Sequence, residues 1–322
     1  MSTRRKQQGK AAPPRQRIVL DCDPGHDDAI AILLAAHHPR LKLEAITTVA
    51  GNQTLQKTTQ NALKVCSLAG IRDVPIAAGM DRPLVREQHI AAQIHGESGL
   101  DGPALPPPDL ELAPTHAVDL LIELLLASQG DLTIVATGPL TNVAAAMRRE
   151  PRILPKIQQI VLMGGSIGLG NTTPAAEFNI YADPEAAQIV FGCGRPITMV
   201  GLDVTHQAQA TPAVRARIRA LGTPVARLVD DLLEFFAETY RRVYGFPAPP
   251  VHDPCAVARV IDPTLLRSQA MHVDIELHGE FTAGRTVCDL RGVTGRPANA
   301  EVGLELDVPR FWDLLIETLA TY

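Results

Sequence analysis

Val19-Leu20-Asp21-Cys22-Asp23-Pro24-Gly25-His26-Asp27-Asp28-Ala29-Ile30 decides how the rest of the chain reads. Four carboxylates (Asp21, Asp23, Asp27, Asp28) fall within eight residues, directly after the apolar run Ile18 to Leu20 and directly before the apolar run Ala29 to Ala36. The first run has the length of a short buried strand. The second, with Pro24 near its start and no charge inside, reads as the first turns of a buried helix. The acids therefore sit at the carboxyl end of a strand, where open α/β sheets place their ligands. A like-charged pair ~4 Å apart costs about 4 kcal/mol at an effective dielectric near 20. A helix N-terminus returns only about 0.3–1 kcal/mol per charge. A hard divalent cation relieves far more, and carboxylate oxygens are its natural ligands. An acidic helix cap needs one Asp, at most two; four at this spacing point to a metal site.

The 322 residues suffice for one large α/β domain or two small ones, and 46 % apolar content is ample for a buried core. A net charge of −5 argues against a nucleic-acid surface. The five cysteines are scattered and lack CxxC spacing, so they read as reduced thiols of a cytoplasmic protein rather than as disulfides or a zinc site. No apolar run approaches the ~20 residues a helix needs to cross a bilayer, so no membrane partner is expected. Residues 1–16 carry Arg4, Arg5, Lys6, Lys10 and Arg15 with almost nothing apolar. They read as a disordered basic tail without the hydrophobic core of a signal peptide, leaving a domain over 17–322.

From Arg17 onward strand and helix alternate. Leu43 to Val49 reads as a strand closed by Gly51-Asn52, Thr54 to Ala69 as a helix stopped by Gly70, and Pro75 to Ala78 as a short strand. Gly79 to Pro114 is rich in Pro, Gly and His; a loop this long inside a compact domain is usually a lid or a binding loop. Helices over His116–Gln129, Leu140–Arg149 and Pro184–Phe191 alternate with strands over Leu132–Ala136, Ile160–Met163 and Pro196–Val200. Thr211 to Tyr244 reads as almost wholly helical, and a helix opens at Asp253. Met271–Leu277, Thr286–Asp289 and Glu301–Leu306 are strand-like, with a closing helix from Pro309. The pattern predicts an α/β single domain: a Rossmann-like, mostly parallel mixed sheet with helices on both faces.

Further candidate residues lie where strands end. Asn52 follows Gly51 at a strand tip, and Thr137-Gly138-Pro139 closes another strand. Around Phe178, an extended backbone projects Glu177 and Asn179 to one side, an arrangement that suits sugar hydroxyls, with Asn171 upstream in the same loop. Val251-His252-Asp253-Pro254 places Asp253 where it can cap a helix with Pro254 at its first position. His252 beside it has an ordinary pKa near 6.5, suited to acid catalysis at neutral pH. Gly164-Gly165-Ser166-Ile167-Gly168 matches the G-x-S-x-G of a serine-hydrolase elbow, but Leu169 to Pro174 cannot supply the helix that must follow at once.

Taken together, Asp21 to Asp28, Val49 to Thr54, Ile94-His95-Gly96-Glu97-Ser98-Gly99, Val161 to Gly165, Ala176 to Ile180, Gly201 to His206 and Val251 to Cys255 resemble the inosine–uridine-preferring nucleoside hydrolases in order and spacing. The resemblance runs from about Arg17 to the C-terminal helix. It implies hydrolysis of the N-glycosidic bond of ribonucleosides to ribose and free base, with calcium as cofactor. By resemblance the Ca2+ ligands are Asp23, Asp28, the backbone carbonyl of Thr137, and Asp253. Asp23 is then also the general base toward a metal-bound water, with Asp21 behind it. Asp27, Asn52, Asn171, Glu177 and Asn179 look like the ribose-holding set. His252 faces the leaving base, with His95 in a mobile loop near it and Tyr244 as an aromatic contact. A homodimer or homotetramer is implied, in a role of nucleoside salvage. The chemistry is coherent: positive charge developing at C1′ calls for carboxylates and amide oxygens, and charge on the departing base calls for a proton donor.

Two departures stand out. The only tryptophan, Trp312, lies in the closing helix, which disfavours a tryptophan sandwich around a purine. The turn Gly245-Phe246-Pro247 before His252 is compact for the family. A serine hydrolase using Ser166 and a non-catalytic calcium- or ribose-binding protein remain the alternative readings.

Overall fold

The computed structural model describes residues 15–322. The expected basic tail lies outside them up to residue 14, and Gln16 already belongs to the first strand. In chain order the elements are β1 (Gln16–Cys22), α1 (His26–His37), β2 (Leu41–Thr48), α2 (Leu55–Ala69), β3 (Ile76–Ala78), α3 (Ala92–His95), α4 (Ala117–Ala127), β4 (Leu132–Ala136), α5 (Thr141–Arg149), β5 (Ile157–Met163), α6 (Phe178–Ala182) and α7 (Pro184–Phe191). There follow β6 (Ile197–Val200), α8 (Leu202–Thr205), α9 (Pro212–Arg219), α10 (Pro224–Tyr244), α11 (Asp253–Ile261), β7 (Leu266–Met271), β8 (Val273–Ile275), β9 (Thr286–Cys288), β10 (Ala300–Leu306) and α12 (Val308–Leu319).

Eight strands form one sheet in the order β3-β2-β1-β4-β5-β6-β10-β7. All neighbours are parallel except β10 with the edge strand β7. Strand β1 therefore has β2 on one side and β4 on the other. The order reverses there, and the crevice beyond its carboxyl end is the switch point that the acid-rich turn was expected to occupy. Alternation along β1 sorts its side chains: Ile18, Leu20 and Cys22 join the core beneath α1, α2, α10, α11 and α12, while Val19 joins the core beneath α4, α5 and α7. The single α/β domain with a mostly parallel mixed sheet is as expected. α1 is buried from Ala29 through Ala35, which is why that run carries no charge.

Three expectations change. The helical stretch Thr211–Tyr244 is two helices, broken at Gly222, whose φ of +70° suits glycine, and restarted by the cap of Thr223 on Ala226. The strand expected over Met271–Leu277 divides at His272. The chain leaves the main sheet with β7 and then pairs β8 with β9 in a separate antiparallel hairpin. The long segment 79–114 contains one helical turn, α3, which carries His95.

Candidate active site

β1 ends at Cys22 and α1 starts at His26, so Asp23 lies in the connecting turn and Asp27 and Asp28 in the first turn of the helix. Asp28 Oδ2 accepts from Gly25 N at 3.0 Å and from Asn52 Nδ2 at 3.2 Å, and its Oδ1 accepts from the Thr137 hydroxyl at 2.8 Å. Asp27 Oδ2 accepts from the backbone N–H of His252 at 3.0 Å, across 225 residues of sequence. Asp253 does not cap α11 as expected. It is the first residue of the helix, the cap position falls to His252, and the Asp253 carboxylate turns toward Asp28 instead. Asp27, Asp28 and Asp253 are buried, and each offers an oxygen within 4.8 Å of the others'.

Asp23 stands beside this group. Its Oδ2 accepts from Asn52 N at 2.6 Å, and its buried Oδ1 has no partner among the described residues. Glycines let the neighbouring strand ends close on it. A Cβ on Gly51 would lie 2.1 Å from Asp23 Oδ2, and one on Gly138 would lie 2.6 Å from Oδ1. Asp21, behind the turn, accepts from Thr47 at 2.6 Å and Asn142 at 2.8 Å.

Burial, reinforced by the charges of their neighbours, pushes Asp23 and Asp253 well above the usual carboxylate range and Asp27 up to about 7. Burial raises Asp28 too, and lifts Asp21 to about 7. Buried oxygens, mutual repulsion and the unpartnered Oδ1 of Asp23 beside the cluster together fit a hard divalent cation.

Above this floor opens a cleft of about 290 Å³, the size of a small-molecule site. Asp27, Asn52, Thr137 and Asp253 line its base. Glu177, Asn179 and Asn171 line one wall. The segment around Phe178 is not extended as expected: Glu177 is the N-cap of α6, accepting from Asn179 N at 2.9 Å and Gly165 N at 2.8 Å. Helix geometry still leaves both side chains on the cleft. Burial pushes Glu177 up to about 7 against those backbone bonds. Asn179 Nδ2 donates to the carbonyl of Thr137 at 2.8 Å and of Met163 at 3.0 Å, tying two strand ends together.

The far end is aromatic. His252 and His95 line it with Phe236, Tyr240 and Tyr244, which recur every four residues along one face of α10. The His252 ring is held at both nitrogens, Nδ1 to the Thr205 hydroxyl at 2.7 Å and Nε2 to the Tyr240 hydroxyl at 2.6 Å. Burial holds both His252 and His95 well below the usual histidine pKa. Tyr244 donates to the carbonyl of Asn171 at 3.3 Å. Sequence reasoning missed Phe236, Tyr240 and Thr205 as site residues. A helical aromatic stripe reads as core, and only its adjacency to the His252 loop hinted otherwise.

Nothing supports a nucleophile at Ser166. Its hydroxyl is buried without a partner among the described residues, and residues 166–176 form no helix. Among the described residues no helix is long and apolar enough to cross a membrane.

Residues 18–313 match the model of the family described as inosine-uridine preferring nucleoside hydrolase. The pyrimidine-specific ribonucleoside hydrolase RihB of Escherichia coli K12 is 50 % identical over 308 residues, covering 96 % of this chain and 98 % of that protein. Among solved structures, a purine-preferring ribonucleoside hydrolase from Gardnerella vaginalis superposes with a TM-score of 0.89 at 32 % identity, covering 95 % of this chain and 98 % of the other. A plant nucleoside hydrolase, PpNRh1, does so with 0.88 at 34 %, covering 96 % and 100 %. These relatives are enzymes that cleave N-glycosidic bonds, which sets aside the non-catalytic reading. The chain belongs to the inosine-uridine preferring nucleoside hydrolase family and is a ribonucleoside hydrolase.

Proposed function

We propose that the protein is a calcium-dependent ribonucleoside hydrolase with pyrimidine ribonucleosides as its foremost substrates. The observation that carries the reading is the buried cluster of Asp27, Asp28 and Asp253 at the base of a cleft whose wall is amide and carboxylate and whose far end is aromatic. The 50 % identity to a pyrimidine-specific relative supports the base preference. Asp28, Asp253, Asp23 and the second lone pair of the Thr137 carbonyl would hold the cation. When bound, it orients the ribose diol and acidifies a water.

The rest is the work of the chain. Asp23, with an unpartnered Oδ1, takes the proton of the attacking water. Asp27, Asn52, Asn171, Glu177 and Asn179 hold the ribose hydroxyls, and the Glu177 charge favours the positive character growing at C1′. On the departing base, negative charge is met by His252. Since burial keeps that ring neutral, it acts by orienting its hydrogen-bonded neighbour Tyr240, which lines the cleft and would donate to the base. Tyr244 and His95 complete the base contact. The same proposal has the enzyme act in nucleoside salvage in the cytoplasm, as a homodimer or homotetramer.

The test is a panel of uridine, cytidine, inosine, adenosine and guanosine with and without chelator. Base release from uridine that chelation abolishes and calcium restores is expected; chelator-insensitive turnover would refute the metal assignment. For the leaving-group step, His252→Ala should slow uridine by roughly 10²–10⁴-fold, the scale of general acid catalysis, and leave p-nitrophenyl riboside little changed. An equal loss on both substrates would make His252 purely structural.

A further inference from the structure

The β8–β9 hairpin stands outside the main sheet and contributes no residue to the lining of the cleft. Yet one of its side chains, the buried Thr286 of β9, reaches the turn that follows β5. The Thr286 hydroxyl donates to the carbonyl of Ser166 at 2.6 Å and accepts from the N–H of the same residue at 2.9 Å. A single hydroxyl thus satisfies both backbone groups of a residue 120 positions away. Cys288, two residues further on, offers Ser166 only a sulfur at 4.0 Å.

Gly165 carries this clamp into the site. Its φ is +73°, and a Cβ there would lie 2.7 Å from Thr286 Cγ2, so only glycine lets the turn and the hairpin come this close. The peptide joining Gly165 to Ser166 is planar and gripped on both sides. Its carbonyl accepts from Leu202 N at 2.9 Å, at the start of α8, and its N–H donates to Thr286. The N–H of Gly165 itself donates to Glu177 Oε2 at 2.8 Å. The bonds to the Glu177 carboxylate from Asn179 N and Ile180 N come from its own helix, α6. Among the described residues, Gly165 therefore supplies the one hydrogen bond that ties this carboxylate to the end of the sheet.

We infer that Thr286 is a positioning residue for the reaction: by clamping Ser166 it fixes the Gly165 turn, and through it the place of the Glu177 carboxylate in the cleft. Side chains that meet a substrate must be held to within about 0.5 Å, and the hydrogen bonds behind them do the holding. What Glu177 does for the ribose rests on the proposed function; how its carboxylate is held does not. The hairpin that leaves the main sheet is thus part of the site without touching the cleft.

The experiment is a double-mutant cycle on the whole enzyme. Thr286→Val and Thr286→Ala remove the hydroxyl and Thr286→Ser keeps it; each is made with Glu177 intact and with Glu177→Ala. Alanine is used at 177 because glutamine would still accept from Gly165. If the valine variant fails to fold, the alanine variant, which brings no new methyl against Ser166, carries the test. With folding checked by thermal melts, kcat/KM on uridine should fall roughly 10²-fold without the hydroxyl, the scale of a ~1 Å misplacement. Serine should restore it. In the Glu177→Ala background the same changes should cost about twofold or less, since Thr286 then has nothing left to place. In spectra of enzyme labelled with 15N-glycine, the Gly165 amide should shift and exchange faster in the valine and alanine variants but not in the serine variant. Full activity in a folded variant without the hydroxyl would overturn the role of Thr286. So would a serine variant as impaired as alanine, an equal loss in both Glu177 backgrounds, as a merely structural role gives, or an unmoved Gly165 amide. If no uridine were cleaved at all, the proposed function would fail, and the Gly165 amide alone would decide for or against Thr286.

Discussion

At the scale of single residues, the proposed mechanism rests on the acids and their oxygens. Asp28→Asn or Asp253→Asn keeps the shape of the cluster but removes a charge and a strong oxygen ligand for the cation. Bound calcium, measured by elemental analysis after desalting, and uridine hydrolysis should fall together; full calcium occupancy in both variants would contradict the assignment. In the proposed mechanism Glu177 should supply the pH dependence. Its pKa is raised to about 7, so the proton remains below that pH and leaves above it. If the charged form is the active one, kcat/KM loses a factor approaching ten per unit as pH falls below about 7. Glu177→Gln should show a low rate with that acid limb flattened, and a limb unchanged in the variant would move the titration to another group. Most of these residues were legible because they cluster in short runs with unusual composition. Tyr240 and Thr205 were not. Each is an ordinary residue in its own segment and acquires a role only through a partner 12 or 47 positions away.

At the scale of elements, the strand ends matter more than the strands. Gly51 and Gly138 admit the Asp23 carboxylate between them, so a methyl group at residue 51 strikes it directly. Gly51→Ala should cost about 1–3 kcal/mol of stability through overpacking. Its larger effect should be on turnover, because misplacing a catalytic group by about 1 Å can cost ~10²-fold. Thermal melts beside kcat measure both, and a loss of stability without a loss of kcat would show that Asp23 tolerates displacement. Elements with a strong hydrophobic period or a clean apolar run were read nearly to the residue, as for β4 and α7. Misreadings arose where periodicity is blind to topology. The alternation of Met271, Val273, Ile275 and Leu277 is satisfied equally by one strand or by two in different sheets. Likewise Asp253 obeys the rule for a cap, but it stands one position inside the helix with its carboxylate turned to Asp28.

Over the whole molecule, specificity should follow the sugar. If the cleft pairs its buried polar groups with both ribose hydroxyls, 2′-deoxyuridine leaves donors and acceptors unpaired, a loss that can reach ~10⁴-fold in kcat/KM. Comparable rates on uridine and 2′-deoxyuridine would contradict the ribose assignment. Calcium at a hundred times its dissociation constant should stabilise the chelated enzyme by about 2.7 kcal/mol, several degrees in Tm. The bond from the backbone of His252 to Asp27 spans 225 residues and bears on synthesis as well as on catalysis. At ~5–20 residues per second, a ribosome releases α1 roughly 10–45 s before it can deliver Asp253. During that interval the nascent chain displays an apolar helix whose cover, α11 and α12, has not yet been made. Its acids meanwhile have no third carboxylate with which to share an ion. The half-made enzyme should therefore need chaperones, and ribosome stalling before residue 253 should leave chains that aggregate whatever the calcium supply.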